Sequence, residues 1–314
     1  MKHLLNDASL LAALAGRTAD INIQVMEQPL VGINYPEIVP VNDSYGDWQL
    51  EGGSGNYRFS GEADWVTGKS DDVPKVGLDA TSETFGFSAY GVGYDWDYEE
   101  VGKAAAYGVG TLTDLKARAA RRKSEEFAQR IAIVGDARKG YEGIINQSGA
   151  TVSQAATQWR SGTALTATPE EIFADVAVLI DGPISAVVDP LFVRADTVAV
   201  DQLTYRLLNI TRAGGLEYGT RSIAQVIREM GVDLIVIPEL ATAAATPAGG
   251  ARAIGYARRA DVVELPVAFG YRFEQGYQAG PFKFNVPGWG RLSGVQLHVP
   301  GGMRYLDNVG PVPA

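Results

Sequence analysis

The stretch Thr113–Val134 constrains this chain more than any other. It runs for about 22 residues without Gly or Pro, which at roughly 1.5 Å rise per residue gives a rod about 33 Å long. Gly110 precedes it, Thr111 or Thr113 can serve as N-cap, and Asp114 suits the positive end of the helix dipole. Gly135 follows as a stop. Leu112, Leu115, Ala119, Phe127, Ile131 and Val134 keep to three- and four-residue steps, interrupted where Lys123 falls on the seam. Most remaining positions are charged or small. One narrow dry seam is too little for a central core helix. Two readings stay open: a solvated surface helix, or a helix laid across a flat domain whose charged face pairs with neighbouring subunits.

The rest of the 314-residue chain can build a core, being 46% hydrophobic and 20% charged. Its 37 glycines are spread along the sequence rather than collected in a linker, which favours tight turns and β-structure. The net charge of −10 argues against tight, sequence-independent binding of nucleic acid, which needs clustered cations. With no cysteine, disulfides, thiolate metal sites and cysteine nucleophiles are excluded. Only His3 and His298 are present, so a His-based triad or metal cluster has almost no material. The apolar N-terminus is broken by Asn6 and Asp7 and reads as an amphipathic helix ending at Gly16 rather than a signal peptide. No apolar run approaches the roughly 20 residues that span a bilayer. We expect no membrane partner and no cofactor, and a protein made in the cytoplasm.

In chain order, Ile21–Tyr45 reads as an extended arm, with Pro29, Pro36 and Pro40 as breakers and scattered apolar anchors that must lie on something else. Asp47–Phe87 reads as a long two-stranded hairpin around the charged tip Gly68-Lys-Ser-Asp-Asp72. A lone hairpin is marginal in water, so it too should lean on another molecule or domain. Phe87–Tyr98 alternates aromatic with polar residues, a period-two strand. Thr168-Pro-Glu-Glu171 starts a helix through a capping box, and Ile172, Phe173, Val176, Leu179 and Ile180 form its buried face. Strands at 197–200, 232–237 and 253–256, with a Ser222-capped helix at 223–230, describe a small α/β unit. Tyr271–Val299 is a run of hairpin-like strands with Gly276, Gly280, Gly288 and Gly294 at turns. The strand-rich tail and the long helix each lack a second face, so they should pack together.

Catalytic motifs are weak. Thr67-Gly-Lys-Ser70 imitates the end of a phosphate loop, but Ala63 stands where the first Gly belongs and Asp71, Asp72 and Pro74 follow instead of an apolar helix. Gly52-Gly-Ser-Gly55 lacks the second Gly of a nucleophile elbow, since Asn56 stands there. Asp95, Asp97 and Glu99, with Glu100, could hold calcium or act as a glycosidase pair. The plainer reading is the polar face of an edge strand.

The order of parts carries more than any motif: arm, charged-tip hairpin, strand, long charged helix, capped helix, small α/β unit, strand-rich return. With Tyr98-Glu-Glu-Val-Gly-Lys-Ala-Ala-Ala106 before the helix and Ile133-Val-Gly-Asp-Ala-Arg-Lys-Gly-Tyr-Glu-Gly-Ile-Ile-Asn146 after it, the chain resembles tailed-bacteriophage major capsid proteins of the Hong Kong 97 fold, a fold shared with encapsulins. Asp261-Val-Val-Glu-Leu-Pro266, Phe282-Lys-Phe284 and Arg291–Val299 are similar to that family's closing strands.

The resemblance implies an α+β capsid fold with an N-arm (1–46), an extended hairpin loop (47–87), and a peripheral domain (88–184) with spine helix 113–134. An axial domain (185–261) and closing peripheral strands (262–314) would complete it. It further implies a structural, non-enzymatic subunit that assembles with itself into pentamers and hexamers as an icosahedral virion shell around double-stranded DNA, which it contacts weakly and without sequence specificity. Scaffold, portal and decoration proteins are the partners it suggests. Because about 45 residues precede the hairpin, a scaffold would be a separate protein or absent. Contacts between subunits are expected at Trp65, Lys69, Asp71 and Asp72 of the hairpin and at Arg118, Arg121, Arg122, Glu125 and Glu126 of the helix, with Lys69 placed for a crosslink. Three alternatives remain: an encapsulin-type compartment, a carbohydrate-active enzyme using Asp95, Asp97 and Glu99, and a monomeric binding protein whose hairpin folds back.

Overall fold

The computed structural model describes residues 32–65, 75–106, 112–182, 193–214, 220–242 and 250–311. The expected N-terminal helix, residues 21–31 of the arm and the hairpin tip with Lys69, Asp71 and Asp72 lie outside these residues. A short helix α1 (Tyr35–Ile38) and strand β1 (Val41–Asn42) lead into the two ten-residue strands β2 (Glu51–Ser60) and β3 (Gly77–Gly86). Strands β4 (Ser88–Gly91) and β5 (Tyr94–Asp97) and helix α2 (Tyr98–Ala106) then precede the long helix α3 (Leu112–Ile133). The period-two stretch is therefore two strands rather than one, since the ladders break at Val92-Gly93 and β4 and β5 enter different sheets. Tyr98 already belongs to a helix, because Asp97 Oδ1 accepts from the Glu100 amide at 2.7 Å and so acts as a start signal.

Helix α3 ends where the glycine stop placed it, but its dry seam is rotated from the stripe read from sequence. Ala120, Ser124, Ala128 and Ile131 are buried, whereas Ala119 is exposed and Leu112, Leu115 and Phe127 are half-buried. The reason is approach distance. Small residues at four-residue steps let the backbone settle close to the sheet, and this seam passes beside Lys123 without needing it buried. Its far side is a five-stranded sheet in the order β1, β14 (Val263–Phe273), β17 (Gly288–Leu292), β4, with β18 (Gln296–Leu297) added to β14. The expected packing of helix on strand-rich tail thus occurs through Ala128, Ile131 and Leu292, with Tyr35, Tyr90, Phe127 and Val267 around them. Between β14 and β17, strands β15 (Tyr277–Gln278) and β16 (Lys283–Val286) join β5 in a separate three-stranded sheet.

After α3 come the short pairs β6 (Gly135–Asp136) with β7 (Tyr141–Glu142), then β8 (Thr151–Gln154), and then β9 (Arg160–Ser161) with β10 (Ala164–Leu165). Helix α4 (Pro169–Asp181) has the expected capping box at Thr168 and Glu171, and its five predicted apolar positions are all buried. Strand β11 (Thr197–Val200) and helix α5 (Gln202–Ile210), the latter unforeseen, come next. Asp201 caps α5 by accepting from the Leu203 and Thr204 amides. Helix α6 (Ile223–Glu229), β12 (Asp233–Val236) and β13 (Ala251–Tyr256) finish the α/β unit.

A second five-stranded sheet runs in the order β12, β11, β13, β19 (Met303–Gly310), β8. Residues 303–310, read from sequence with the closing strands, pair antiparallel with β13 in this sheet. Both faces are covered. Val198, Val200, Ala253 and Leu306 pack with helices α4 and α6. Ala199, Ile254, Tyr256 and Tyr305 pack on the other side with Ile133, Ile144 and Ile145 at the end of the long helix. Strands buried on two faces lose their polar alternation, which is why they read as continuous apolar runs.

Candidate assembly surfaces

The hairpin is built to reach outward. Strands β2 and β3 pair in unbroken antiparallel register from Glu51↔Gly86 to Ser60↔Gly77 and form a two-stranded sheet of their own. At about 3.4 Å per residue this ladder projects about 34 Å. Its root is packed: Phe85 and Phe87 are buried with Ala268 and meet Tyr45 in ring contacts of 5.8 and 5.2 Å. Farther out, Val76 and Leu78 are exposed and Trp65 is 99% exposed, and at the root itself Leu50 is 76% exposed. An arrangement that leaves this much apolar surface in water asks for another molecule.

The root is fixed by a buried carboxylate that sequence reasoning missed. Glu264, on β14, accepts from Asn42 Nδ2 at 2.7 Å and from the Tyr45 hydroxyl at 2.8 Å, and lies 3.2 Å from His298 Nε2. Arm, hairpin root and closing strand meet there. A signal existed: a Glu inside the apolar run Val262–Val267 must find donors when buried. The arm is also anchored in its own chain, contrary to expectation, because Ile38 and Val39 are buried beside Ile254 and Leu265. A proline-delimited short helix turns these two side chains inward.

On α3 the charged residues divide. Arg122 and Lys123 both pair with Glu126, at 3.3 and 2.6 Å, so Arg122 and Glu126 are engaged within the helix. Arg118, Arg121 and Glu125 are exposed. Arg121 and Glu125 also line a cleft of about 400 Å³ between α3 and the sheet, with Tyr35, Tyr90 and Tyr271. Burial raises the pKa of Tyr35, and burial together with the neighbouring Tyr35 and Tyr271 phenols and Glu125 pushes Tyr90 up to about 12, so the cleft presents neutral phenols.

The acidic cluster is answered by cations. Asp95 pairs with Lys283 at 2.6 Å, Glu100 with Lys116 at 2.7 Å and Glu99 with Lys103 at 2.7 Å, while Asp97 caps α2. Hydrogen bonding and charge from Lys283 hold the exposed Asp95 carboxyl below the ordinary carboxylate range, which is the reverse of what a general acid needs. Trp96 stacks on Phe284 at 4.3 Å, a packing role for the aromatic stripe. Among the described residues no three His, Asp or Glu side chains gather to hold a metal ion, and no helix is long and apolar enough to cross a membrane. Gly52-Gly-Ser-Gly55 lies within β2, and Thr67–Ser70 falls outside the described residues.

The sequence model of the major capsid protein family matches residues 61–309. The chain belongs to the major capsid protein family. No curated protein matches it in sequence. Among solved structures, it is similar to the capsid of Myoviridae phage XM1, with a TM-score of 0.75 and 15% identity over 93% of this chain and 97% of the other. The capsid of a native GTA particle gives 0.65 and 10% over 96% and 99%, and that of Mycobacterium phage Adephagia gives 0.58 and 11% over 96% and 98%. These structures share the Hong Kong 97-like capsid fold of mixed helix and strand.

For this capsid protein the Glu264 site yields a measurable expectation. Burial alone would raise the Glu264 pKa, but hydrogen bonds from His298, Asn42 and Tyr45 outweigh it and hold the carboxyl below its usual range. A depressed native pKa contributes stability that is complete above the unfolded value, near about 4.3, and is lost as pH falls through the native value. Glu264→Gln places an amide among donors and should cost about 3 kcal/mol at pH 7. In thermal unfolding scans the gap between variant and parent should narrow below about pH 4.

Proposed function

We propose that this capsid protein is the shell subunit of a tailed-phage-type head, assembling with itself into pentamers and hexamers that close as an icosahedral container for double-stranded DNA. The role is structural rather than catalytic. The observation that carries the reading is the two-stranded hairpin, packed at its root and, among its described residues farther out, exposed at Trp65, Val76 and Leu78. Such an element reaches its low-energy state only against a second copy, and head-to-tail contacts of this kind close into rings. The net charge of −10 suits a container that encloses nucleic acid without gripping it. Scaffold, portal and decoration proteins are the accessory partners in this reading, and assembly takes place in the host cytoplasm.

Size-exclusion chromatography with negative-stain microscopy tests the proposal directly. Pentamers, hexamers or closed shells are the expected species. A clean 33.5 kDa monomer that persists at high concentration and with crowding agents would refute it.

A further inference from the structure

The cations of this acidic protein are not spread evenly. Eight of its 27 Lys and Arg residues, but only four of its 37 Asp and Glu residues, fall within residues 113–139, although the net charge is −10. Helical spacing sorts them further. The buried seam of α3 repeats every four residues at Ala120, Ser124, Ala128 and Ala132, and the row Arg118, Arg122, Glu126 and Arg130 stands two positions before it throughout. Two residues turn a helix by about 200°, so this row forms the ridge facing away from the sheet. Lys123 stands beside it.

The ridge is net positive. Arg118 and Arg130 are exposed, and the Lys123 side chain is 63% exposed. Among the described residues neither Arg118 nor Arg130 pairs with a carboxylate, and the Arg130 guanidinium lies 5.0 Å from the Phe127 ring centroid instead. Glu126, the one acid in the row, is shared by Arg122 and Lys123 at 3.3 and 2.6 Å. Exposed pairs of this kind are weak in water and yield to a denser anion.

Shape selects that anion. A helix ridge is convex and cannot enclose a free phosphate or a nucleotide. From Arg118 to Arg130 it runs straight for about 18 Å, and a nucleic-acid duplex carries about ten phosphate charges over that axial length. An extended polyanion therefore meets the whole row at once, through its backbone and without reading sequence.

We propose that the α3 ridge of Arg118, Arg122, Lys123 and Arg130 binds the phosphate backbone of double-stranded DNA and is a face that the subunit turns toward the contents of the shell. This inference rests on the container reading for its ligand, and it gives the charged face of the helix a nucleic-acid partner in place of the neighbouring subunits expected from sequence.

Fluorescence anisotropy of a labelled 30-base-pair duplex, titrated with the unassembled full-length chain between 50 and 200 mM salt, tests it. The logarithm of the binding constant should fall with that of salt concentration with a slope of about −3, as three or four phosphates are neutralised. Arg118→Gln/Lys123→Gln/Arg130→Gln keeps good helix formers and should weaken binding at least tenfold and flatten the slope, with an unchanged circular dichroism spectrum. Arg206→Gln/Arg212→Gln/Arg228→Gln removes the same charge from exposed positions of the α/β unit and should bind as the parent does. Equal weakening of both variants would reduce the effect to net charge and overturn the assignment. Preference of the ridge for poly-L-glutamate over duplex at equal charge concentration would overturn it in favour of an acidic polypeptide. If the parent closes into shells but its subunits bind duplex no better than the ridge variant, this inference fails while the assembly reading stands. If the chain stays monomeric yet shows ridge-dependent duplex binding, the container reading fails and the ridge site remains.

Discussion

A chain in which residues 56–81 are replaced by Asn-Gly is expected to fold as a stable monomer and to form no shell. Gly55 and Ser82 are register partners, so a two-residue turn can close the shortened hairpin where the ladder already brings the strands together. The cut spares the parts that belong to the subunit core. Phe85, Phe87 and Tyr45 keep their ring contacts, Phe87 N still donates to Leu50 O at 3.0 Å, and the Glu264 carboxylate keeps its donors. Among the described side chains, the cut removes the large apolar residues Trp65, Val76 and Leu78, all exposed. Removing surface that is already in water should change monomer stability by less than about 1 kcal/mol. Removing the element that covers a neighbour should abolish assembly. Circular dichroism with thermal melting reads the first effect and sedimentation velocity the second. A truncated chain that melts like the parent yet still closes into shells would show that the hairpin is not the joining element.

The comparison with sequence shows where local chemistry suffices. The capping box at Thr168, the Ser222 cap and the stop at Gly135 were legible because each acts within one turn. The apolar strands of the α/β unit were legible because burial on both faces leaves a continuous run. Other features depend on partners distant in the chain. Tyr305 and Arg252 stand on strands yet bind the carbonyls of Ile144 and Ile145, at 2.6 and 2.8 Å, and no local pattern announces that. The seam of α3 was misplaced for a related reason. Periodicity rewards large apolar residues, whereas close approach to a sheet rewards Ala120, Ser124 and Ala128. Of the assembly surface, the hairpin was visible as a segment with no core of its own. The cleft was not, because Tyr35, Tyr90, Arg121 and Tyr271 converge from separate elements.

The passage Gly135–Asn146 after α3 crosses the helix end so closely that it leads to the largest expected loss of stability. The last carbonyls of α3 need donors, and the chain supplies them by folding back: Ile144 N donates to Ala132 O at 2.9 Å and Ile145 N to Ile133 O at 3.2 Å. Asn146 closes the turn, its Oδ1 accepting from Gly143 N at 2.7 Å and its Nδ2 donating to Val134 O at 3.0 Å. This return passes so close to the helix end that a Cβ on Gly143 would sit 2.2 Å from Ile133 O. Both atoms in that clash are held by backbone, so neither can yield cheaply. Gly143→Ala should therefore push the return away, uncap the helix and open the core around Ile144 and Ile145, costing more than about 4 kcal/mol. Gly140, three residues earlier, provides the control. It has a left-handed φ of 69°, but a methyl added there would meet nothing within 4 Å, so Gly140→Ala suffers conformational strain alone, about 1–2 kcal/mol. Urea titration of the two variants should place the Gly143→Ala midpoint far below that of Gly140→Ala, or leave Gly143→Ala insoluble. Equal midpoints would mean that the close crossing does not hold α3 to the core.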